Sequence, residues 1–446
     1  MSKILGKYLS TFSFQNLTLA AQINQIQRPI GLILIAVLLT KTGFSKYDIG
    51  VFETLLFIAT FISYVGIGSV ISSLAPMLNG ANDADRKAHI RLTICLILAL
   101  NILIVSVLYF FAPSSIQLIC GNANLPFFNL FCIYLFLHFS SVILDVLYLI
   151  NKQSKALILL SVANFAALFG SVLLSIVLHT FIEGILLGWI FYTFIKNILL
   201  IYFLIKNQVF DIFKIHKSLI IKYLAFALPM ILYNVIGGIG LSMDSWLINW
   251  FTKGDKEIFG IYRYGAREIP LLNGLAIGLS NAMVIVIGSN LETGLRVLKE
   301  KSTRLMHLIY PIGIVLLLIS PYLYEIVFST HYRASAPIFN VYILLIITRA
   351  IFPQTILNAL KDSKSILWIG ITEMSFNVLF SFILYPYFGI MGIAYGTLIA
   401  FFLDKILALL VVKYKYNIDF QDYTNIKVLT IYTTILIFVY FFTLFI

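Results

Sequence analysis

Apolar runs of about twenty residues or more recur along the whole chain, separated by short polar connections. A helix that crosses a bilayer needs about 20 mostly apolar residues. The runs at 17–40, 49–78, 88–112, 126–150, 155–178, 182–206, 221–250, 257–290, 303–328, 335–360, 365–388, 389–413 and 427–446 each supply that length. The pattern predicts thirteen transmembrane helices, or twelve or fourteen if one run is merged or split. No connection is long enough for a soluble domain. The first run is not a cleavable leader, because Gln22, Asn24, Gln25 and Arg28 interrupt it and no small-residue cleavage site follows.

Composition agrees with the pattern. Hydrophobic residues make up 61% of the 446 and charged residues only 11%, against about 25% charged in an ordinary soluble domain. That excludes a soluble enzyme, a nucleic-acid reader and a secreted disulfide scaffold. The net charge of +12 is mostly topology. Twenty cations fall on the connections of one side, and five (Lys41, Lys46, Lys253, Lys256, Arg333) on the other. Positive residues stay inside, so the N-terminus is expected in the cytoplasm. Cys95, Cys120 and Cys132 show no metal-ligand or disulfide spacing, and Cys95 and Cys132 read as core residues.

The chain repeats itself at about 209 residues. Lys152-Gln-Ser-Lys155 returns as Lys361-Asp-Ser-Lys364, and Gly184-Ile-Leu-Leu-Gly188 as Gly392-Ile-Ala-Tyr-Gly396. Lys7-Tyr-Leu9 matches Lys222-Tyr-Leu224, and Ile49-Gly-Val-Phe52 matches Phe259-Gly-Ile-Tyr262. Six spans per copy is an even number, so both copies start on the same side and the repeats are parallel. The expected fold is an all-α polytopic membrane protein with two parallel six-helix lobes around a central cleft. The lobes are expected at 1–209 and 210–415, with one additional helix at 416–446. The GxxxG spacings let helices approach closely within each lobe.

A polar first span, Gly50-Val-Phe52 opening the second and Gly260-Ile-Tyr262 at the eighth accompany the paired KxSK and GIxxG hairpins. Over roughly residues 5–415 this resembles the Wzx-type polysaccharide flippases of the multidrug/oligosaccharidyl-lipid/polysaccharide exporter superfamily, which are MATE-like in fold. The resemblance implies a non-enzymatic flippase of the bacterial inner membrane. It would move an undecaprenyl-diphosphate-linked oligosaccharide, such as an O-antigen repeat unit, by alternating access. No cofactor is expected; the drive could come from an H+ or Na+ gradient or from concentration and downstream polymerisation, and polysaccharide polymerase machinery is a candidate partner. The thirteenth span departs from the twelve-span pattern common in the family.

Six cations fall inside predicted spans: Arg28, Lys196, Arg263, Arg267, Arg349 and Lys405. Each costs about 2.5–3.5 kcal/mol at the bilayer centre, so each should face a partner or a wet cavity. Gln15, Thr18, Gln22, Gln25 and Arg28 lie within an arc of about 140° of one helix. Arg28 with Gln22 and Gln25 is therefore a candidate grip for a diphosphate; the alternative is an arginine paired inside one lobe. Arg263 and Arg267, at i and i+4, are expected on one helical face. They suit either a diphosphate held bidentately or a salt bridge to Asp244 or Glu53. Arg349 is a further cleft candidate. The family's use of cleft arginines on the equivalent spans implies such roles for Arg28 and Arg267. Lys196 and Lys405 are expected to snorkel, with Asp404 pairing locally with Lys405. Asp145, Asp244 and Glu373 are candidates for a coupling ion, or structural partners of the arginines. Asp83-Ala-Asp85 is read as a solvated turn.

Two other functions fit the fold class less well. A multidrug exporter would want acids for cationic drugs, where this chain has arginines. A membrane polysaccharide polymerase needs a sizeable outer loop with catalytic groups, and the outer loops here are short.

Overall fold

The computed structural model describes residues 17–78, 82–209 and 217–444. Lys3, Lys7 and Gln15 lie outside them. Among the described residues the chain is helical without a strand. Ten helices are long and apolar enough to cross a membrane, or eleven if the bent pair Thr330–Arg349 and Pro353–Ala359 is one span. The protein is a multi-pass membrane protein.

By its internal contacts the chain divides into two compact units, Met1–Ser242 with Lys253–Glu257, and Met243–Thr252 with Ile258–Ile446. The first contains α1 (Leu17–Lys41), α2 (Lys46–Ile62), a π-helical turn (Ser63–Ile67), α3 (Gly68–Met77), α4 (Asp83–Phe110) and α5 (Ala112–Cys120). It continues through α6 (Phe128–Ser141), α7 (Ile143–Ile150), α8 (Ser154–Val177) and α9 (Phe181–Lys206) into α10 (Lys217–Phe251). The expected second span is thus three helical pieces, with the π turn in the middle. The division between units falls within α10, later than the boundary expected at 209.

The second unit holds α11 (Lys256–Gly265, from Ile258), α12 (Pro270–Ser289) and α13 (Leu291–Val327). After the short 3-10 turn Thr330–Ser335 come α14 (Ala336–Ile343), α15 (Ile346–Arg349) and α16 (Pro353–Ala359), then α17 (Ser363–Phe388) and α18 (Ile390–Tyr416). It closes with α19 (Phe420–Tyr423) and α20 (Ile426–Thr443). The additional C-terminal helix packs on α13, where Tyr432 stacks on Tyr310 at 5.2 Å and takes part in a 2.9 Å hydrogen bond with His307.

Small residues set the closest approaches. A Cβ on Gly188 of α9 would stand 2.6 Å from Ser171 Cβ of α8, and one on Gly396 of α18 would stand 2.5 Å from Ser381 Oγ of α17. Equivalent glycines thus seat one helix pair in each unit, as the GxxxG spacing predicts. The start of α10 is held by a buried Tyr223, whose hydroxyl lies 3.0 Å from Ser73 Oγ and 2.9 Å from Thr93 Oγ1. The cysteines are free. Cys120 and Cys132 are buried, while Cys95 is only half-buried.

One expected helix is broken. Arg263 and Arg267 were expected one turn apart on a single helical face. The helix instead ends at Gly265, and Arg267–Ile269 is not helical. Proline disfavours helical geometry in the residue before it, and Ile269 has ψ 111°. Proline at the first turn is tolerated because that N–H has no helical partner anyway. Pro270 therefore begins α12 instead of interrupting a continuous span.

Candidate functional site

The first unit contains a cavity of about 410 Å3 lined from α1, α2, the π turn and α6 to α9. Its walls place Gln25 and Arg28 of α1 together with Asp145 of α7 and Lys196 of α9. Gln22 does not line it and is exposed. The second half of α1 is almost wholly aliphatic, and Ile35, Ala36 and Leu39 are buried. Its first half carries the polar positions. Packing of α1 against α8 around Ala20, Leu157 and Ile158 fixes which of those positions face inward.

Asp145 is the hub of a polar network. Lys196 Nζ lies 2.5 Å from its Oδ2. Asn24 and Asn164 donate to its Oδ1 at 3.0 and 3.2 Å, and Tyr192 donates to Asn164 at 2.5 Å. Two expectations are corrected here. Lys196 does not snorkel, being 5% exposed, and the partner of Asp145 is this lysine rather than an arginine. A lysine placed mid-helix beside an acid on a neighbouring helix gains more from the buried pair than from reaching for distant water. Breaking one side of such a pair strands a charge.

Arg28 differs. Its guanidinium has neither an ion pair nor a hydrogen bond among the described residues, although it is only partly exposed and lies within an apolar span. Aromatic rings stand near it on the cavity wall: Tyr134 stacks on His138 at 5.1 Å and meets Trp189 at 5.4 Å. The result is a largely apolar, aromatic-walled chamber that bears a cation.

The second unit engages its arginines internally. Arg349 grips Glu268 through two hydrogen bonds, of 2.6 and 3.2 Å, and lies 4.9 Å from the centre of the Phe401 ring. Arg267 sits over Tyr264 at 4.7 Å. Arg263 donates to Ser245 at 3.2 Å. Arg267 and Arg349 line one pocket of about 20 Å3, close to the 10–15 Å3 that one water requires. Arg263 is not part of its lining.

Asp244 accepts hydrogen bonds from Tyr342, from Asn377 at 3.2 Å and from Thr397 at 2.8 Å. Lys405 and Asp404 do pair, at 3.4 Å, and Gln354 bridges them, donating to Asp404 at 2.5 Å and accepting from Lys405 at 2.6 Å. Lys405 is therefore held in the interior, its side chain 12% exposed, and does not snorkel. Glu373 of α17 makes no hydrogen bond or ion pair among the described residues. Asp404, Lys405, Arg349 and Asp244 are the charged groups that act on it.

The polar stretch of α1 singles out Arg28 and Gln25 from sequence alone. It does not reveal Lys196, Trp189 or Asn164 as wall residues. Each is one polar or aromatic position in a long apolar helix, and only the packing of α6 to α9 brings them to one place.

No family model and no curated protein sequence matches the chain. Solved structures do. The chain is similar to a lipid II flippase, MurJ, in an inward closed conformation, with 18% identity over 96% of this chain and 98% of the other and a TM-score of 0.69. It is similar to a multidrug resistance MATE family transporter of the MOP superfamily in an inward-facing conformation, with 14% identity over 90% and 98% and a TM-score of 0.64. A MOP superfamily transporter from Pyrococcus furiosus gives 14% identity over 90% and 94%, with a TM-score of 0.56. At these identities the shared property is the fold.

Proposed function

We propose that the protein is a flippase of the bacterial inner membrane, N-terminus in the cytoplasm, that moves an undecaprenyl-diphosphate-linked oligosaccharide to the outer leaflet by alternating access. An O-antigen repeat unit or a similar surface polysaccharide unit is the cargo. One observation carries the reading: Arg28, without an ion pair or hydrogen bond among the described residues, stands on the wall of a 410 Å3 cavity inside an apolar helical unit. An uncompensated guanidinium inside a membrane span is costly. A diphosphate supplies the missing counter-charge and accepts bidentate hydrogen bonds. The lipid tail needs no protein shelter, so the cavity has only to house the polar head. Likeness in fold to a lipid II flippase is compatible with this cargo class.

Arg267 and Arg349 remain secondary contacts for the head group, since each already has an aromatic or acidic neighbour. Of the three acids considered for coupling, Asp145 is neutralised by Lys196. Asp244 and Glu373 are left as the groups that would take up H+ or Na+. A multidrug exporter has the same fold, but a cationic drug would meet an unpaired cation in this cavity.

The test is deletion of the gene in its host, with complementation by wild type, Arg28→Ala or Arg267→Ala at matched expression. Surface polysaccharide and inner-leaflet lipid-linked units are quantified. Deletion is expected to remove the surface polymer and accumulate single units inside, and Arg28→Ala is expected not to rescue. Unchanged polymer with altered drug susceptibility would overturn the reading in favour of the exporter.

A further inference from the structure

Arg28 alone does not balance the cargo proposed for this cavity. A diphosphate esterified at both ends keeps one acidic oxygen on each phosphorus and carries two negative charges at neutral pH. Among the described residues that line the cavity, the charged ones are Arg28, Asp145 and Lys196. Asp145 and Lys196 cancel each other at 2.5 Å, and releasing the lysine would strand the acid. The wall therefore offers one net positive charge against two negative ones. The remainder would sit inside an apolar unit, where an uncompensated charge is costly.

His138 of α6 lines the same wall, and histidine is the side chain that gains a positive charge near neutral pH. The other titratable lining groups, Tyr64, Tyr134 and Tyr192, are phenols that ionise only in strong base. The imidazole stacks on Tyr134 at 5.1 Å and meets Phe139 at 5.7 Å. It is half-buried, its side chain makes no hydrogen bond or ion pair among the described residues, and neither ring nitrogen is sealed in. Arg28 from α1 and Lys196 from α9 are the charged groups that act on it, and α7 brings Asp145 to the same wall. The α4 helix, which packs on α6 where Asn101 donates to the Phe136 carbonyl at 2.7 Å, carries no charged residue after Arg91. In the empty cavity a charged imidazole would join two cations and one acid. With a diphosphate bound, the same imidazolium meets two further negative charges.

We propose that His138 takes up a proton when the diphosphate binds at Arg28, and so becomes the second cation of the site. The proton passes from water to a free ring nitrogen. The cavity then sets two positive charges against the two of the cargo, with the Asp145–Lys196 pair undisturbed. This rests on the flippase reading and adds to it a proton bound together with the cargo.

The test uses the full chain in lipid nanodiscs and two probes whose own charge is constant near neutral pH. One is farnesyl diphosphate esterified with glucose on its terminal phosphate, which is doubly charged. The other is farnesyl phosphate esterified with glucose, which is singly charged and balanced by Arg28 alone. Titration calorimetry in buffers of different ionisation enthalpy counts the protons. Wild type should take up as much as about one proton per diphosphate probe and almost none with the monophosphate. Because the complex holds the extra proton, affinity for the diphosphate probe should fall as pH rises, by up to about 10-fold per unit. His138→Gln should abolish the uptake and the pH dependence, weaken the diphosphate probe and leave the monophosphate probe unchanged. His138→Asn carries the comparison if His138→Gln does not fold. Arg28→Ala should weaken both probes. If wild type takes up no proton, or the uptake persists without His138, the role of His138 is overturned while the Arg28 reading stands. If Arg28→Ala changes neither affinity, the anion site fails first and the role built on it fails with it.

Discussion

The two units use intramembrane charge in opposite ways. The first holds Arg28, without an ion pair or hydrogen bond among the described residues, beside a 410 Å3 cavity. The second ties Arg349 to Glu268 beside a pocket of about 20 Å3. The repeat makes the contrast sharper. Asp145 stands seven residues before Lys152, as Gln354 does before Lys361. Lys196 stands eight after Gly188, as Asp404 does after Gly396. Equivalent positions therefore meet in both units, but acid to base in one and amide to acid in the other. Asn164 and Glu373 are likewise equivalent, each nine residues past the second lysine of its KxSK motif. Among the described residues, one plan of helices thus carries a cation without an ion pair, Arg28, in one copy and a carboxylate without one, Glu373, in the other. The two copies share these contact positions and differ in their polarity.

The comparison can be broken most forcefully at Lys196. Lys196→Met strands Asp145 in the first unit and should cost about 3–5 kcal/mol, read as a loss of thermal stability in detergent. Adding Asp145→Leu should recover most of it, because removing both partners leaves no charge behind. Failure of the double variant to recover would mean that the asparagines, not the ion pair, hold the network. In the second unit, Arg349→Ala and Glu268→Gln should each destabilise, with a coupling of about 1–3 kcal/mol in a double-mutant cycle. Arg349→Lys should behave nearly as badly as alanine, since a lysine cannot form the two-point grip.

Gly188→Ala and Gly396→Ala test the shared geometry rather than the differing charge. Each puts a methyl against a serine of the neighbouring helix, and overpacking of that kind costs about 1–3 kcal/mol. Similar losses in both units are expected. A loss at one site alone would show that only one copy still depends on close packing. Arg28→Ala should lower stability least, by under about 0.5 kcal/mol, while abolishing complementation. A large fall in stability would mean that Arg28 has a structural partner after all.

A last, small effect lies outside the spans. Lys415 sits 2.7 Å from Asp362 and holds that carboxyl below the usual carboxylate range. A carboxyl held low stabilises the fold above its unfolded pKa of about 3.9 and loses that contribution as pH falls further. Lys415 is half exposed, so Asp362→Asn should cost at most about 1 kcal/mol at neutral pH. The difference from wild type should vanish in strong acid.

Much of the architecture was legible from residue order. Among the described residues each predicted span is mostly helix, because length and apolarity decide what can cross a bilayer, but those at 257–290 and 335–360 are broken. The GxxxG contacts were legible for the same local reason. Partners were not. Glu268 and Arg349 lie 81 residues apart, and Asp145 and Lys196 lie 51 apart, and nothing in either span marks its mate. The break between α11 and α12 had a local signal in Gly265 and Pro270. Apolar continuity through 257–290 outweighed it when the run was read as one span.

That break has a mechanical consequence. A continuous helix is a rod, and a push at one end arrives at the other. Here the rod is cut at Arg267–Ile269, and the loose end of α11 is tied sideways: Tyr324 donates to the Tyr264 carbonyl at 2.8 Å and Ser335 to the Ile261 carbonyl at 2.7 Å. Backbone freed from a helix inside a membrane must find partners in the protein, and these ties provide them. The end of α11 is therefore fastened to α13 and to the 3-10 turn before α14, while α12 begins afresh at Pro270 and is fastened to α16, where the Ser280 and Thr355 hydroxyls lie 2.7 Å apart. The protein has a joint in the middle of a span, and the residues at that joint include Arg267 and Glu268.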